Sequence, residues 1–264
     1  MCGTGILELL NDFHERNGEM MQVNQAKITS NTCIGKDVYE MVLETSIAHD
    51  VSCGQFVQVE VPGFYLRRPI SVSEVLDDNH LVLVYKTVGE GTAVLSAMKK
   101  DDTVSVFGPL GTGFPVENKD VVLIGGGVGV PPLVETAKQY IRNGNKVTAV
   151  LGFNTDNDAI LIEKLKDIGA EVVVATMDGS LGTKGTVMDA IKENGIDVPF
   201  VLACGPLPML KAVASAYRNG YISLESRMAC GMGACMGCVV KDEKGEAKRV
   251  CKDGPVFEIG KVVL

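Results

Sequence analysis

Near its C-terminal end the chain reads Cys230-Gly-Met-Gly-Ala-Cys235-Met-Gly-Cys238, and Cys251 follows, a C-x4-C-x2-C-x12-C spacing. The first two separations, among the first three cysteines, are those of the thiolate ligands of a plant-type [2Fe–2S] cluster. A loop folded around an inorganic core turns backbone N–H groups toward its sulfurs, and glycine reaches the positive-φ conformations this needs at least cost. Gly231, Gly233 and Gly237 fall between the ligands, where that demand is expected. Structural zinc also takes four thiolates, usually as two C-x2-C knuckles. Cys235 and Cys238 make one knuckle, but Cys230 and Cys251 do not make a second. The spacing therefore favours the cluster, with Cys230, Cys235, Cys238 and Cys251 as ligands.

The other four of the eight cysteines, Cys2, Cys33, Cys53 and Cys204, are scattered singly. No signal peptide is read at the start, so a reducing cytoplasm is the expected setting. No run approaches the ~18 apolar residues of a transmembrane helix. The formal charge of -8 argues against nucleic acid and against an anionic membrane surface. His14, His49 and His80 show no ligand spacing.

Four segments are expected. Residues 1–20 read as an N-terminal extension, with Ile6, Leu9, Leu10 and Phe13 on one helical face. Residues 21–114 read as β: alternating runs such as Val38–Leu43 and Val57–Val61, with further short strands at Leu81–Tyr85 and Thr103–Phe107, separated by breakers, predict a small antiparallel Greek-key β-barrel. Residues 115–221 alternate strand and helix, which predicts a doubly wound parallel sheet. Residues 222–264 form the cluster module. The fold class is α/β plus β.

Three further motifs carry chemistry. Gly125-Gly126-Gly127-Val128-Gly129 lies between a strand and a helix, where glycines let backbone approach a pyrophosphate. It is not G-x-G-x-x-G, and its position at the first strand–helix turn is what favours nucleotide binding. Arg67-Arg68-Pro69-Ile70-Ser71 follows a barrel strand, with Pro69 expected to fix a turn. An Arg pairs with phosphate and a Ser hydroxyl reaches a ring nitrogen, but on these residues alone a solvated basic turn closing a hairpin is the better reading. Tyr85-Lys86-Thr87 and Gly91-Thr92 offer a ring to stack and donors at a helix start. Cys204-Gly205-Pro206 ends the last parallel strand, so Cys204 either faces a nicotinamide or is a small buried residue. After the second strand of this unit the chain reads Gly152-Phe-Asn-Thr-Asp156-Asn-Asp158 without Arg or Lys, which predicts NADH over NADPH.

Barrel, Arg-Pro-x-Ser, Gly-rich loop and Cys-Gly-Pro, in that order, resemble the ferredoxin–NADP reductase superfamily. The added stretch Glu225-Ser-Arg-Met-Ala-Cys230 through Cys238 makes the chain from Met21 onward similar to the electron-transfer subunits of class 1B dihydroorotate dehydrogenases. That resemblance implies FAD held by Arg68, Pro69, Ile70, Ser71, Tyr85, Lys86, Thr87, Gly91 and Thr92. It implies NAD at the parallel-sheet domain, where Gly125, Gly126, Gly127 and Gly129 are the candidate contacts and Cys204 keeps the two readings given above. It implies an FMN-containing catalytic partner in a heterotetramer of two chains each, and electrons passing from partner FMN to [2Fe–2S], FAD and NAD in pyrimidine biosynthesis. No segment reads as a site for dihydroorotate itself. The small subunits of NADH-dependent ferredoxin–NADP oxidoreductase and sulfide dehydrogenase are the nearest alternative; they tend to carry Asp where Cys230 stands. A non-catalytic electron carrier or zinc-stabilised binding module on the same fold is the other.

Overall fold

The structure is a computed structural model and describes residues 21–264. The expected N-terminal extension lies outside the described residues.

Six strands close an antiparallel barrel: β1 (Gln22–Gly35), β2 (Val38–Glu44), β3 (Phe56–Val59), β4 (Arg68–Asp77), β5 (His80–Lys86) and β6 (Thr103–Leu110), in the order β1-β2-β5-β4-β3-β6. Period-two patterning fills it. Ile28, Met41, Leu43, Val57, Val59, Val72, Leu81, Leu83 and Val106 point inward and are buried together. One expectation fails here. Pro69 fixes no turn; it is the second residue of β4 and sits opposite Gln58 of β3. A proline is tolerated there because it lies at the beginning of the strand. Helix α1 (Glu90–Ala97) follows β5.

The second unit is a seven-stranded sheet. Its parallel strands are β7 (Val121–Gly126), β8 (Val147–Phe153), β9 (Glu171–Thr176), β10 (Thr183–Lys184), β11 (Val201–Cys204) and β12 (Gly220–Ser223). Helices α2 (Pro132–Arg142) and α3 (Ile162–Asp167) cover one face, where Leu123, Ala149 and Leu202 meet Leu133, Tyr140 and Leu165. Helices α4 (Val187–Glu193) and α5 (Leu207–Ala216) cover the other, where Ile124, Val150 and Ala203 meet Val187, Ile191 and Leu210. Short buried parallel strands with helices on both faces make the sheet doubly wound.

The C-terminal segment adds a hairpin of β13 (Val239–Lys241) and β14 (Ala247–Arg249), a turn of helix α6 (Val250–Asp253), and β15 (Val256–Glu258). β15 joins the large sheet as its edge strand, antiparallel to β12. Cys238, Val250, Cys251 and Phe257 share a core with Ile124 and Ala203 of that sheet and with Phe56 and Leu110 of the barrel. The cluster loop is therefore seated where the barrel and the nucleotide sheet meet. The barrel also packs on the helical layer of the nucleotide unit, where Val82 and Val84 share a buried core with Leu133 and Val134 of α2. Charges reinforce this contact. Lys138 of α2 reaches Glu74 Oε1 at 3.1 Å, and Lys164 of α3 reaches Glu74 Oε2 at 2.7 Å and Glu40 at 3.4 Å.

Candidate redox centre

The four sequence-predicted ligands are found as two pairs. Cys235 N–H donates to Cys230 Sγ at 3.3 Å, and Cys251 N–H donates to Cys238 Sγ at 3.4 Å. Gly233 N–H donates to Cys251 Sγ at 3.1 Å and Gly237 N–H to Cys235 Sγ at 3.5 Å. Gly231 and Gly233 hold φ of 72° and 80°, as expected of them, whereas Gly237 is not in the positive-φ region and serves through its N–H. All four thiols are free of disulfides. Burial alone would push the Cys230 thiol up, but the N–H groups of Cys235, Met232 and Ala234 turned toward it bring it down to about 7. Cys251 is pushed up to about 12 by burial and by the neighbouring Cys238 sulfur. Two such sulfurs ionise together only with a cation between them. Among the described residues no three His, Cys, Asp or Glu side chains gather on one point suited to a single ion. The pairs Cys230–Cys235 and Cys238–Cys251 match the donor set of a two-iron cluster, in which each iron takes two thiolates.

The barrel motifs also converge. Arg68 stacks over the Phe64 ring at 4.9 Å and bonds the Leu66 carbonyl, and its guanidinium lies against Gly91 in the first turn of α1. A guanidinium beside a helix N-terminus is chemistry for a diphosphate. The buried Thr87 hydroxyl has no protein partner, which fits a ligand there. Lys86, the residue before it, reaches the edge of the nucleotide cleft, and Ser71 is half-buried on β4. Arg67, next in sequence to Arg68, is instead tied to Glu60 and Ser105 at 2.9 Å. The remaining motif residues offer little side chain. Ile70 belongs to the barrel interior. Tyr85 stacks on Tyr39 with centroids 6.0 Å apart and bonds Asn31, so its ring faces inward; burial pushes its phenol up to about 12. The Thr92 hydroxyl already accepts from Val88 and Gly89 N–H and caps α1. What Ile70 and Tyr85 can give a flavin is backbone.

A cleft of about 680 Å³ lies between the barrel and the sheet. Its wall includes Gly126 and Gly127, Asn154 and Asp158 after β8, Pro206 after β11, and Glu225. Gly127 takes φ of 52°, and a β-carbon there would meet nothing, so the loop opens to the cleft. Gly125 and Gly129 are packing positions: a side chain at Gly129 would overlap the Cys204 carbonyl, and one at Gly125 would press on Val130. The N-cap and first residue of α2 are Pro131 and Pro132, which have no N–H, so donors to a pyrophosphate come from the loop rather than the first helical turn.

Cys204 is buried beneath this wall. Burial, with the charge of Glu225 adding, pushes its thiol up to about 12 against a hydrogen bond from Ser223. It is a neutral thiol at any physiological pH. Sequence reasoning assigned nothing to Glu225. It is exposed at the cleft mouth, yet the protein around its carboxyl pushes it above the usual carboxylate range. Lys36, at the β1–β2 turn, also enters the cleft from the barrel. No local pattern marks either residue, since each arrives from a distant segment.

Residues 225–263 match the family model for the iron–sulfur cluster binding domain of dihydroorotate dehydrogenase B, and residues 123–215 match that of the oxidoreductase NAD-binding domain. The chain is 43% identical over 260 residues to a Bacillus mycoides protein named dihydroorotate dehydrogenase B (NAD(+)), electron transfer subunit, covering 93% of this chain and 100% of the relative. A Bacillus cereus protein of the same name is 42% identical over the same spans. A solved structure of an NADH-dependent reduced ferredoxin–NADP oxidoreductase superimposes with a TM-score of 0.83 at 32% identity, covering 91% of this chain and 90% of that one. The cytochrome b5 reductase domain of Ulva prolifera nitrate reductase shares the fold at 18% identity and a TM-score of 0.60, over 72% of this chain and 89% of that domain.

Proposed function

The chain belongs to the dihydroorotate dehydrogenase B electron transfer subunits, and we propose that its three sites act as one relay, in which electrons from dihydroorotate, delivered by an FMN-containing catalytic subunit, reach NAD through the [2Fe–2S] cluster and FAD. The protein is an oxidoreductase subunit that uses FAD, a [2Fe–2S] cluster and NAD. The observation that carries the relay is the seating of the cluster loop: Gly231 lies against Gln58 of β3, whose cross-strand partner on β4 is Pro69 of the flavin motif, while Lys86 of the same barrel lines the nucleotide cleft. Both flavins exchange one or two electrons and the cluster exchanges one, so the cluster links two-electron chemistry on the two subunits.

Residues 21–114 serve as the FAD domain, 115–221 as the NAD domain and 222–264 as the cluster module. Arg68 and the start of α1 hold the diphosphate of FAD, with Thr87 completing the site. Gly126, Gly127 and Asn154 receive NAD, and Glu225 stands at the mouth of its cleft. Cys230, Cys235, Cys238 and Cys251 hold the irons. The assembly is a heterotetramer of two chains of each kind in the cytoplasm. No helix among the described residues is long and apolar enough to cross a membrane.

Anaerobic titration of the subunit with NADH tests this reading. Bleaching of the flavin followed by the EPR signal of a reduced [2Fe–2S] centre is expected. A protein with stoichiometric zinc and no acid-labile sulfide contradicts it.

A further inference from the structure

Gln58 is the most deeply buried polar side chain at the junction of barrel and cluster module, with 0% of its surface exposed. Neither its Nε2 nor its Oε1 has a hydrogen-bond partner in the protein. A fully buried primary amide with both ends unmatched is rare in native proteins, and where one occurs it marks strain, a redox or catalytic role, or a partner that the polypeptide does not supply. Alternation along β3 turns Val57 and Val59 into the barrel and Gln58 out of it. Outward here does not mean into water, because the cluster loop covers the residue. A β-carbon built on Gly231 would lie 2.5 Å from Gln58 Nε2, 2.8 Å from Cγ and 3.1 Å from Cδ. The amide nitrogen is thus the atom nearest a β-carbon on Gly231, one residue from the predicted ligand Cys230. Gly231 has φ of 72°, a conformation that together with this contact leaves room for glycine alone.

The surroundings indicate what the amide faces. Four backbone N–H groups, those of Gly233, Cys235, Gly237 and Cys251, already donate to thiol sulfurs of this loop. An anionic, sulfur-rich core attracts donors, and hydrogen bonds to its sulfurs stabilise the more negative, reduced form. The backbone of Gln58 is itself fixed by β3–β4 pairing with Pro69 and by Arg67, whose guanidinium reaches the Gln58 carbonyl at 3.4 Å.

We propose that Gln58 is a positioning residue for the iron–sulfur cluster: its side-chain amide, held by the strand paired with the flavin motif, donates to the sulfur-bearing Cys230–Cys235 loop and raises the reduction potential of the cluster. The proposal rests on the cluster reading above, and iron and acid-labile sulfide content of the wild type decides that reading separately.

The test is a redox titration of anaerobically purified holoprotein, following the cluster by EPR and the flavin by its visible spectrum, in wild type, Gln58→Glu and Gln58→Met. Q58E keeps the shape and the acceptor and removes the donor, and Q58M removes both polar atoms. Both variants are expected to show a cluster potential lower than wild type, lowest in Q58E, with altered g-values and an unmoved flavin potential. A cluster potential and EPR spectrum equal to wild type in Q58E overturn the proposal. A shifted flavin with an unshifted cluster also overturns it, and assigns the amide to the flavin. If both variants lose the cluster, Gln58→His, which retains an N–H donor, is expected to restore it; failure of that rescue counts against the donor role.

Discussion

The guanidinium of Arg68 lies against Gly91 so closely that a β-carbon there would overlap its nitrogens. Two motifs separated by more than twenty residues thus make one cationic pocket at the start of α1. Gly91→Ala is expected to displace Arg68 and weaken FAD retention by about tenfold, the ~1.4 kcal/mol scale of one charge-assisted hydrogen bond. Arg68→Lys should also weaken it, because a point charge does not replace a planar fork. Flavin absorbance per protein after gel filtration reads both. Full occupancy in G91A would show that the pocket does not hold the diphosphate.

Cys235→Ser and Cys238→Ser are expected to lose or destabilise the cluster, since a hard alkoxide suits its irons poorly. Flavin should remain, because Arg68 on barrel strand β4 and Gly91 in α1 lie outside the cluster module. The reduced-cluster EPR signal and the flavin absorbance, measured on the same sample, check the pair. A normal EPR signal in both variants would place the irons elsewhere.

What the sequence made legible follows contact range. The ligand spacing is local, so Cys230 to Cys251 and the positive φ of Gly231 and Gly233 were readable. The barrel strands were readable where one face is polar. β5 was readable only as an apolar run, because Leu81 and Leu83 fill the barrel while Val82 and Val84 bury against the nucleotide unit. Pro69 was read as a turn because proline usually interrupts strands, and that reading hid β4. Gln58 looked like a solvent-side residue of an alternating strand. What covers it comes from more than 170 residues away and leaves no mark in its neighbourhood. Lys36 and Glu225 were missed for the same reason.

The Glu74 network carries a pH signature. Burial pushes its carboxyl up, but bonds to Lys164 and Lys138 outweigh this and leave it below its ordinary 4.5. A lowered carboxylate pKa gives stability that is present above 4.5 and is lost as pH falls through the folded value. Burial pushes Lys164 down, but Glu74 and Glu40 outweigh that and raise it above 10.5. Its stabilisation is full below 10.5 and is lost as pH rises through the folded value. Glu74→Gln is expected to cost about 2 kcal/mol near neutrality, less than a fully buried pair because Lys164 is 29% exposed. Urea unfolding at several pH values should show the difference from wild type shrinking below pH 4.5. A difference that stays constant into acid would contradict this.

Asp158 lines the cleft after β8, and Asp156 lies beside it. Their charge disfavours a 2′-phosphate, so NADH is expected to reduce the flavin at least about tenfold more efficiently than NADPH, or ~1.4 kcal/mol. Lys36 enters the same cleft, so Asp158→Asn should narrow the preference. Stopped-flow flavin reduction with each nucleotide measures it. Equal rates in the wild type would contradict the charge argument.

This chain is expected to complete an enzyme with a second subunit. Orotate formation from dihydroorotate with NAD as acceptor, followed by absorbance, tests this for this subunit alone, the catalytic partner alone and the two combined. No orotate is expected from this chain alone, and NAD-dependent orotate is expected from the combination and abolished by Cys238→Ser. NAD-linked turnover absent from the combination, with ferredoxin reduction by this chain's own complex present, would contradict it and move the chain to the ferredoxin-linked relatives.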